Sequence, residues 1–331
     1  MADIKVLDGG FSTQLSTHVG EKIDGDPLWT ARFLATNPEA VVATHLDFLR
    51  AGSDIIQTNT YQASVGGFVQ YLGVSEEESL ELIQSAVDLT RKAITMYSKE
   101  TRGNGNIPNN KPVIVGSCGP YGAVLHDASE YTGNYGPEVT PEVMSTWHRP
   151  RIDALTAAGV DFLALETIPN QYEARALIEL LREYPNTKAW LSFSCSDDGK
   201  TIVDGSNFQE VALDCYKKAP SGQIVAIGVN CLAPKLVASL LKGVNDKAER
   251  RDFVPLVVYP NSGEKYTVTE GWKREGTSWQ PLEDFVPDWL DLGVQYIGGC
   301  CRTYATDITK IRYEVNRWQK KQANSVRNHV K

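Results

Sequence analysis

No stretch of this 331-residue chain approaches the ~18 consecutive apolar residues that a membrane-spanning helix needs. The first residues, Met1-Ala2-Asp3-Ile4-Lys5, lack the apolar core of a signal peptide. Basic blocks are missing too, and the formal net charge is −8, so a nucleic-acid groove is not expected. Cysteines number only six. Without a secretory signal they are expected as free thiols or metal ligands in a reducing, cytoplasmic setting, not as disulfides. The five histidines show no metal-ligand spacing: His45 falls within a helix, and His18, His126 and His148 fall in loops or helix starts. Membrane and nucleic acid therefore drop out as partners, and small molecules remain. No pattern in the chain bears on its oligomeric state.

What is present is a long alternation of short apolar runs and amphipathic stretches. Eight runs read as strands: 5–7, 54–57, 113–115, 161–165, 189–193, 224–229, 254–259 and 295–297. Most are continuously apolar, as in parallel strands buried on both faces. Helical patterns lie between them. Asn37-Pro38-Glu39 gives an N-cap, a proline at N1 and an acidic first turn. Ser75-Glu76-Glu77-Glu78 fits a capping box. Gly52, Gly159 and Gly293 each stand between a helical stretch and a strand, where glycine ends a helix in the left-handed conformation. Eight strand–helix units predict an α/β fold, a single-domain (βα)8 TIM barrel over residues 1–319, with a polar, frayed tail at 320–331. A doubly wound sheet is the alternative, but Asp8-Gly9-Gly10-Phe11 does not make its glycine fingerprint. Residues 102–110 read as a surface loop, and 121–138 and 261–281 as longer loops on the active face.

Barrel enzymes keep their chemistry at the C-terminal strand ends. Those positions here hold Asp8, Asn59, Ser117-Cys118, Glu166, Ser194-Cys195, Asn230-Cys231, Asn261 and Cys300-Cys301. Gly228-Val229-Asn230-Cys231 ends the sixth strand and Gly298-Gly299-Cys300-Cys301 the eighth. Strands two places apart are about 10 Å apart along the wall, so side chains reaching inward can share one ion. Neighbouring side chains alternate in a strand, so both members of the vicinal pair face inward only where the strand breaks, and Gly298-Gly299 permits that break. Thr303 is a candidate cap for the following helix. Three thiolates suit zinc, which takes four ligands and leaves one position open in catalytic sites. A substrate thiol would enter there as a thiolate, so the chain reads as an enzyme that alkylates a thiol. Cys215 reads as core, and Cys118 and Cys195 receive no role.

These motifs resemble the zinc-dependent homocysteine S-methyltransferase family over nearly the whole chain. The likeness rests on Asp8-Gly9-Gly10, Gly228-Val229-Asn230-Cys231, Tyr259-Pro260-Asn261-Ser262-Gly263 and Gly298-Gly299-Cys300-Cys301. Pro27-Leu28-Trp29-Thr30-Ala31, residues 58–64 and residues 116–133 resemble the branch that uses S-methylmethionine or S-adenosylmethionine to make methionine. The resemblance implies one Zn2+ per chain on Cys231, Cys300 and Cys301. It also implies that Asp8 and Glu166 hold the amino group of homocysteine, and that Asn261 fills the fourth zinc position when substrate is absent. Thr167 stands where betaine-using relatives tend to carry tyrosine, which counts against betaine. Cobalamin-dependent transfer is not expected, since these residues carry no Asp-x-His-x-x-Gly motif and leave no room for a cobalamin module.

The chemistry fits those residue types. A free thiol has a pKa near 8.5 and zinc coordination removes its proton. An all-thiolate zinc is a poor activator of water but keeps its sulfurs nucleophilic, which argues against a hydrolase. A sulfonium leaves as a neutral thioether and needs no general acid, so the remaining task is alignment. Trp29, Tyr61, Tyr121, Glu130 and Tyr131 are candidates to hold the cation. Backbone N–H groups around Gly9-Gly10, or Ser194, are candidates for the homocysteine carboxylate. The alternatives are betaine as the donor and, from another class, a non-catalytic zinc-binding barrel. The latter needs a fourth protein ligand, where the seventh strand offers only Asn261.

Overall fold

A computed structural model describes residues 3–20, 23–103, 111–125, 127, 129–246, 253–267, 271–273 and 280–329. Among the described residues there are ten strands: β1 (Lys5–Val6), β2 (Ile55–Gln57), β3 (Val113–Cys118), β4 (Phe162–Ile168), β5 (Ala189–Phe193), β6 (Ile224–Asn230), β7 (Leu256–Tyr259), β8 (Lys265–Thr267), β9 (Gly271–Lys273) and β10 (Val294–Ile297). Eight of them form one parallel sheet in the order β1-β10-β7-β6-β5-β4-β3-β2. Helices separate successive strands, which makes the (βα)8 barrel expected from the alternation. Carboxylates and backbone close the seam between β1 and β2. Asp54 N donates to Val6 O at 2.7 Å, Val6 N to Asp54 Oδ2 at 2.8 Å, and Gln57 N to Asp8 Oδ2 at 2.8 Å.

All eight predicted strands occur, because each is an apolar run bounded by turn residues. Two run three residues past their expected ends: β3 to Cys118 and β4 to Ile168. The segment 261–281, read as loop, contains the antiparallel pair β8–β9. Local signals act as their chemistry dictates. Asn37 caps Pro38–Arg50 through Ala40 N. Ser75 and Glu78 exchange the two bonds of a capping box, at 3.1 and 2.7 Å. The final helix, Ala305–His329, continues past residue 320 where a frayed tail was expected; it contains neither Gly nor Pro to stop it. Thr303 does not cap this helix: Asp307 Oδ2 accepts from Tyr304 N instead. His148 sits in the middle of Pro141–Ala157, not at a helix start. His126 and residues 104–110 lie outside the described residues. Among the described residues, no helix is long and apolar enough to cross a membrane.

The core has two parts. One lies between sheet and helices and holds most of the buried aliphatic residues. The other fills the barrel itself with Leu7, Ile55, Val115, Ala164, Trp190, Ala226 and Val257, one from each of seven successive walls. Trp190 is fully buried at the centre of this plug, edge-on to Phe162 and Tyr259. Small Ala164 and Ala226 flank its strand on either side, so volume balances across the layer.

Candidate active site

The site begins two residues beyond the plug. Side chains along a strand alternate, so residues i and i+2 share a face. Ile55, Val115, Ala164, Trp190 and Val257 are therefore followed inward by Gln57, Ser117, Glu166, Ser192 and Tyr259. An apolar layer gives way to a polar one in a single step along each strand. The polar layer is bonded to itself. Tyr259 Oη lies 2.6 Å from Ser192 Oγ and accepts from Trp190 Nε1 at 3.0 Å. Ser192 Oγ donates to Asn230 Oδ1 at 2.9 Å, and Asn230 Nδ2 donates to Thr167 Oγ1 at 2.7 Å. Ser117 Oγ donates to Glu166 Oε1. Sequence reading missed Gln57 and the role of Tyr259. The period-two offset from Ile55 and Val257 is the signal that marks them.

Above this layer the three cysteines converge. Their sulfurs lie within 4.8 Å of one another, although 69 residues separate Cys231 from Cys300. Cys231 and Cys301 sulfurs are 3.5 Å apart, and those of Cys300 and Cys301 4.0 Å. Sulfurs about 2.3 Å from one tetrahedral ion would stand roughly 3.8 Å apart, so the trio matches one face of such a centre. Among the described residues this is the one group of three metal-ligating side chains. The Cys231 thiol is held well below its ordinary value, because its thiolate accepts from the Cys300 and Cys301 S–H groups. Cys118 and Cys215 are buried elsewhere in the core, and burial pushes the Cys118 thiol up to about 11.

The vicinal pair is set by a clasp between two loops. Cys300 N donates to Pro260 O at 2.8 Å, Gly299 N to Asp8 O at 3.0 Å, and Ser262 N to Cys301 O at 3.1 Å. Thr303 Oγ1 donates to Cys300 O at 2.6 Å and accepts from Gly10 N at 3.0 Å. A Cβ on Gly10 would run into the Cys300 carbonyl, which explains the glycine. Thr303 is thus a latch between β1 and β10 where sequence reading made it a cap.

The sulfurs open into a cavity of about 670 Å³, counting its mouth. Its walls carry Asp8 and Glu166 but, among the described residues, no Lys, Arg or His. Asp8 Oδ1 is buried with no hydrogen-bond partner. Burial, with Glu166 nearby, raises the Asp8 carboxyl well above its ordinary value. Burial also raises Glu166 to about 7, against the pull of the Ser117 and Tyr259 hydroxyls. Two desolvated carboxyls without a cation suit a ligand that brings one. Trp29 and Tyr61 line the same cavity edge to face, their centroids 5.9 Å apart. Tyr131 stands at its mouth, 48% exposed. Glu130 beside it has one buried oxygen without a partner, and burial raises its carboxyl to about 7.

Some expected site residues lie apart from the cavity walls. Ser194 follows β5, and its N–H is used by Ile168 O at 3.1 Å. Asn261 follows β7, and its Oδ1 accepts from Gly263 N at 2.8 Å. Tyr121 packs against Tyr135 and Trp147. Gly9 and Gly10 line the cavity, but the Gly10 N–H is already spent on Thr303.

Comparison with known proteins points one way. A family model described as homocysteine S-methyltransferase matches residues 5–315. A betaine-homocysteine S-methyltransferase of Drosophila melanogaster is 49% identical over 319 residues, covering 95% of this chain and 94% of that protein. A homocysteine S-methyltransferase of Escherichia coli (strain K12) is 40% identical over 311 residues, 94% of each chain. The crystal structure of an Escherichia coli homocysteine methyltransferase in a metallated form is similar at a TM-score of 0.78 and 38% identity, covering 94% of this chain and 96% of that one.

Proposed function

The chain belongs to the homocysteine S-methyltransferase family, and from that premise we propose how its cavity methylates homocysteine. The acceptor is homocysteine, and the enzyme is an S-methyltransferase. The methyl donor is read as a sulfonium, S-methylmethionine or S-adenosylmethionine. One observation carries the reading: three sulfurs meet in a cavity that holds two uncompensated carboxyls and aromatic walls.

Cys231, Cys300 and Cys301 would hold one zinc ion. When bound, zinc would draw off the proton of the homocysteine thiol and present the sulfur as a thiolate. Asp8 Oδ1 and Glu166 take the substrate ammonium, and its arrival favours their ionised forms. The faces of Trp29, Tyr61 and Tyr131 receive the donor cation, with the Glu130 carboxyl behind them. Homocysteine sulfur then attacks the methyl carbon as the methyl–sulfonium bond breaks. That electron pair stays on the departing sulfur, which leaves as a neutral thioether. No proton needs delivering to the leaving group. The chain's work is alignment and exclusion of water. Backbone N–H groups near Gly9 are left to meet the substrate carboxylate. Asn261 would have to release Gly263 N before its oxygen could serve as a ligand.

Betaine is the second reading. The name of the Drosophila melanogaster relative favours it, and a quaternary ammonium suits the same aromatic faces. Thr167, where betaine-using relatives tend to carry tyrosine, weighs against it. Purified protein should hold about one zinc per chain. It should make methionine from homocysteine faster with S-methylmethionine than with equimolar labelled betaine. Full activity in a metal-free preparation would sink the zinc reading, and preference for betaine would overturn the donor.

A further inference from the structure

We propose that Arg151 is a positioning residue that fixes the aromatic wall on which the methyl donor lies; this rests on the cationic-donor reading above. No sequence motif marks this arginine. It sits within the helix Pro141–Ala157, only 2% exposed, outside the cavity and behind the Tyr61 wall.

The guanidinium makes three directed bonds. Nη1 donates to Tyr61 O at 3.0 Å, Nη2 to Gly119 O at 2.6 Å, and Nη2 to His148 Nδ1 at 2.9 Å. The Trp147 ring covers it, 4.6 Å from centroid to guanidinium carbon. Arginine can only donate, so His148 Nδ1 must be bare and the imidazole proton must sit on Nε2. From there it donates to Glu173 Oε1 at 2.8 Å. Glu173, fully buried, also accepts from Tyr121 N at 2.6 Å and from Tyr135 Oη at 2.6 Å. A neutral imidazole thus relays between a buried cation and a buried anion, while Arg151 Nε is left without a hydrogen-bond partner.

The network holds what the reaction needs held. Gly119 N donates to Tyr61 O at 3.2 Å, and a Cβ on Gly119 would strike the Tyr61 ring at 2.7 Å. The ring therefore leans on a bare Cα while Arg151 grips the carbonyls of both residues. Glu173 ties down the loop after β3 at Tyr121 and Tyr135, on either side of Tyr131. The loops following β2 and β3 are thereby tied to the helices Pro141–Ala157 and Gln171–Leu181. Methyl transfer requires three atoms in line, and a misplacement of about 1 Å costs on the order of 100-fold.

Arg151→Lys keeps the charge but cannot span Tyr61 O, Gly119 O and His148 with one ammonium. It should raise the KM for S-methylmethionine about tenfold. The KM for homocysteine and the metal content should stay as in wild type. Amide exchange at Gly119 and Tyr121 should quicken by about tenfold. An equal rise in both KM values, or an unchanged donor KM, overturns the proposal. Tyr135→Phe removes the hydroxyl that bonds Glu173 Oε2 and the Gly122 backbone, both within the same wall, and should raise the donor KM about threefold. No rise there overturns the proposal even if Arg151→Lys fails to fold. A wild-type enzyme that takes a methyl from no cationic donor overturns the donor reading itself. The clamp is then read from exchange alone, where unchanged protection of Gly119 and Tyr121 overturns it.

Discussion

At the N-terminal end of the barrel, Gly52, Gly159 and Gly293 close three helices with φ between +79° and +99°. At the other end, Trp29, Thr167, Cys231 and Arg302 hold φ between +46° and +63° with full side chains. The left-handed region costs an L-residue roughly 1–2 kcal/mol and glycine almost nothing. Where the chain only has to turn, glycine makes the turn. Where a sulfur, an indole or a hydroxyl must be placed, the strain is kept. Each strained residue has its N–H fixed by another group. Trp29 N donates to Asp26 O, Thr167 N to Asn230 Oδ1, Cys231 N to Tyr259 O and Arg302 N to Thr13 Oγ1. Trp29, Thr167 and Cys231 line the cavity, and Arg302 directly follows the vicinal cysteines. Strain is concentrated at the site, where the surrounding structure over-determines the backbone.

Cys300→Ala should widen the gap between the two ends most. Metal content and turnover should fall together, turnover by roughly a thousandfold or more, while circular dichroism reports an intact barrel. A barrel that unfolds with the metal would make the cluster structural and erase the distinction.

Glu166→Gln tests the site end without touching the sulfurs. It should raise the homocysteine KM by about 10- to 100-fold, the worth of a charge-assisted bond. It also has a stability signature of defined sign. Burial raises this carboxyl from 4.5 to about 7, so the unliganded folded protein keeps a proton that the unfolded chain releases. That stability is fully present below about 4.5 and is lost as pH climbs through about 7. The glutamine cannot ionise, so the variant should unfold about 1–3 kcal/mol later than wild type at pH 8 in urea. Asp8 and Glu130 shift in the same sense, so the pH slope flattens without vanishing. A variant less stable than wild type at pH 8 would reverse the argument.

The smallest effects are the sharpest comparison. Gly159→Ala should cost about 1 kcal/mol and leave kinetics alone, since its Cβ meets only the movable Arg91 Nη2, at 3.1 Å. Thr167→Gly should change stability by less than about 1 kcal/mol, because relief of strain offsets the lost bond from Asn230 Nδ2. Its donor KM should nevertheless rise. Equal stability losses with unchanged kinetics would show that the two ends do not differ.

Some of this was readable along the chain because it is local. Apolar runs between turn residues mark strands, glycines before strands mark helix ends, and two glycine–cysteine motifs announce a metal-binding chemistry. Asp8 and Glu166 were found because each follows an apolar run and the family resemblance gave both a role, although β4 itself runs on to Ile168. Other features were out of reach because they depend on partners distant in sequence. Nothing near Thr303 says that it latches Gly10, 293 residues away. Nothing near Arg151 says that its carbonyl acceptors belong to Tyr61 and Gly119. Ser194 and Asn261 look available in a list of strand ends, but Ile168 O at the end of β4 takes the Ser194 N–H, and Gly263 N two residues on bonds Asn261 Oδ1.

The amino-acid order by itself determined the eight-strand alternation and the residue types that can bind a soft metal, because periodicity and ligand chemistry belong to short segments. Only the tertiary structure decided which sulfurs meet, which carboxyls lose their solvent and which arginine holds the wall. Those outcomes follow from barrel closure, which brings distant loops to hydrogen-bonding distance and removes the water that would otherwise serve them.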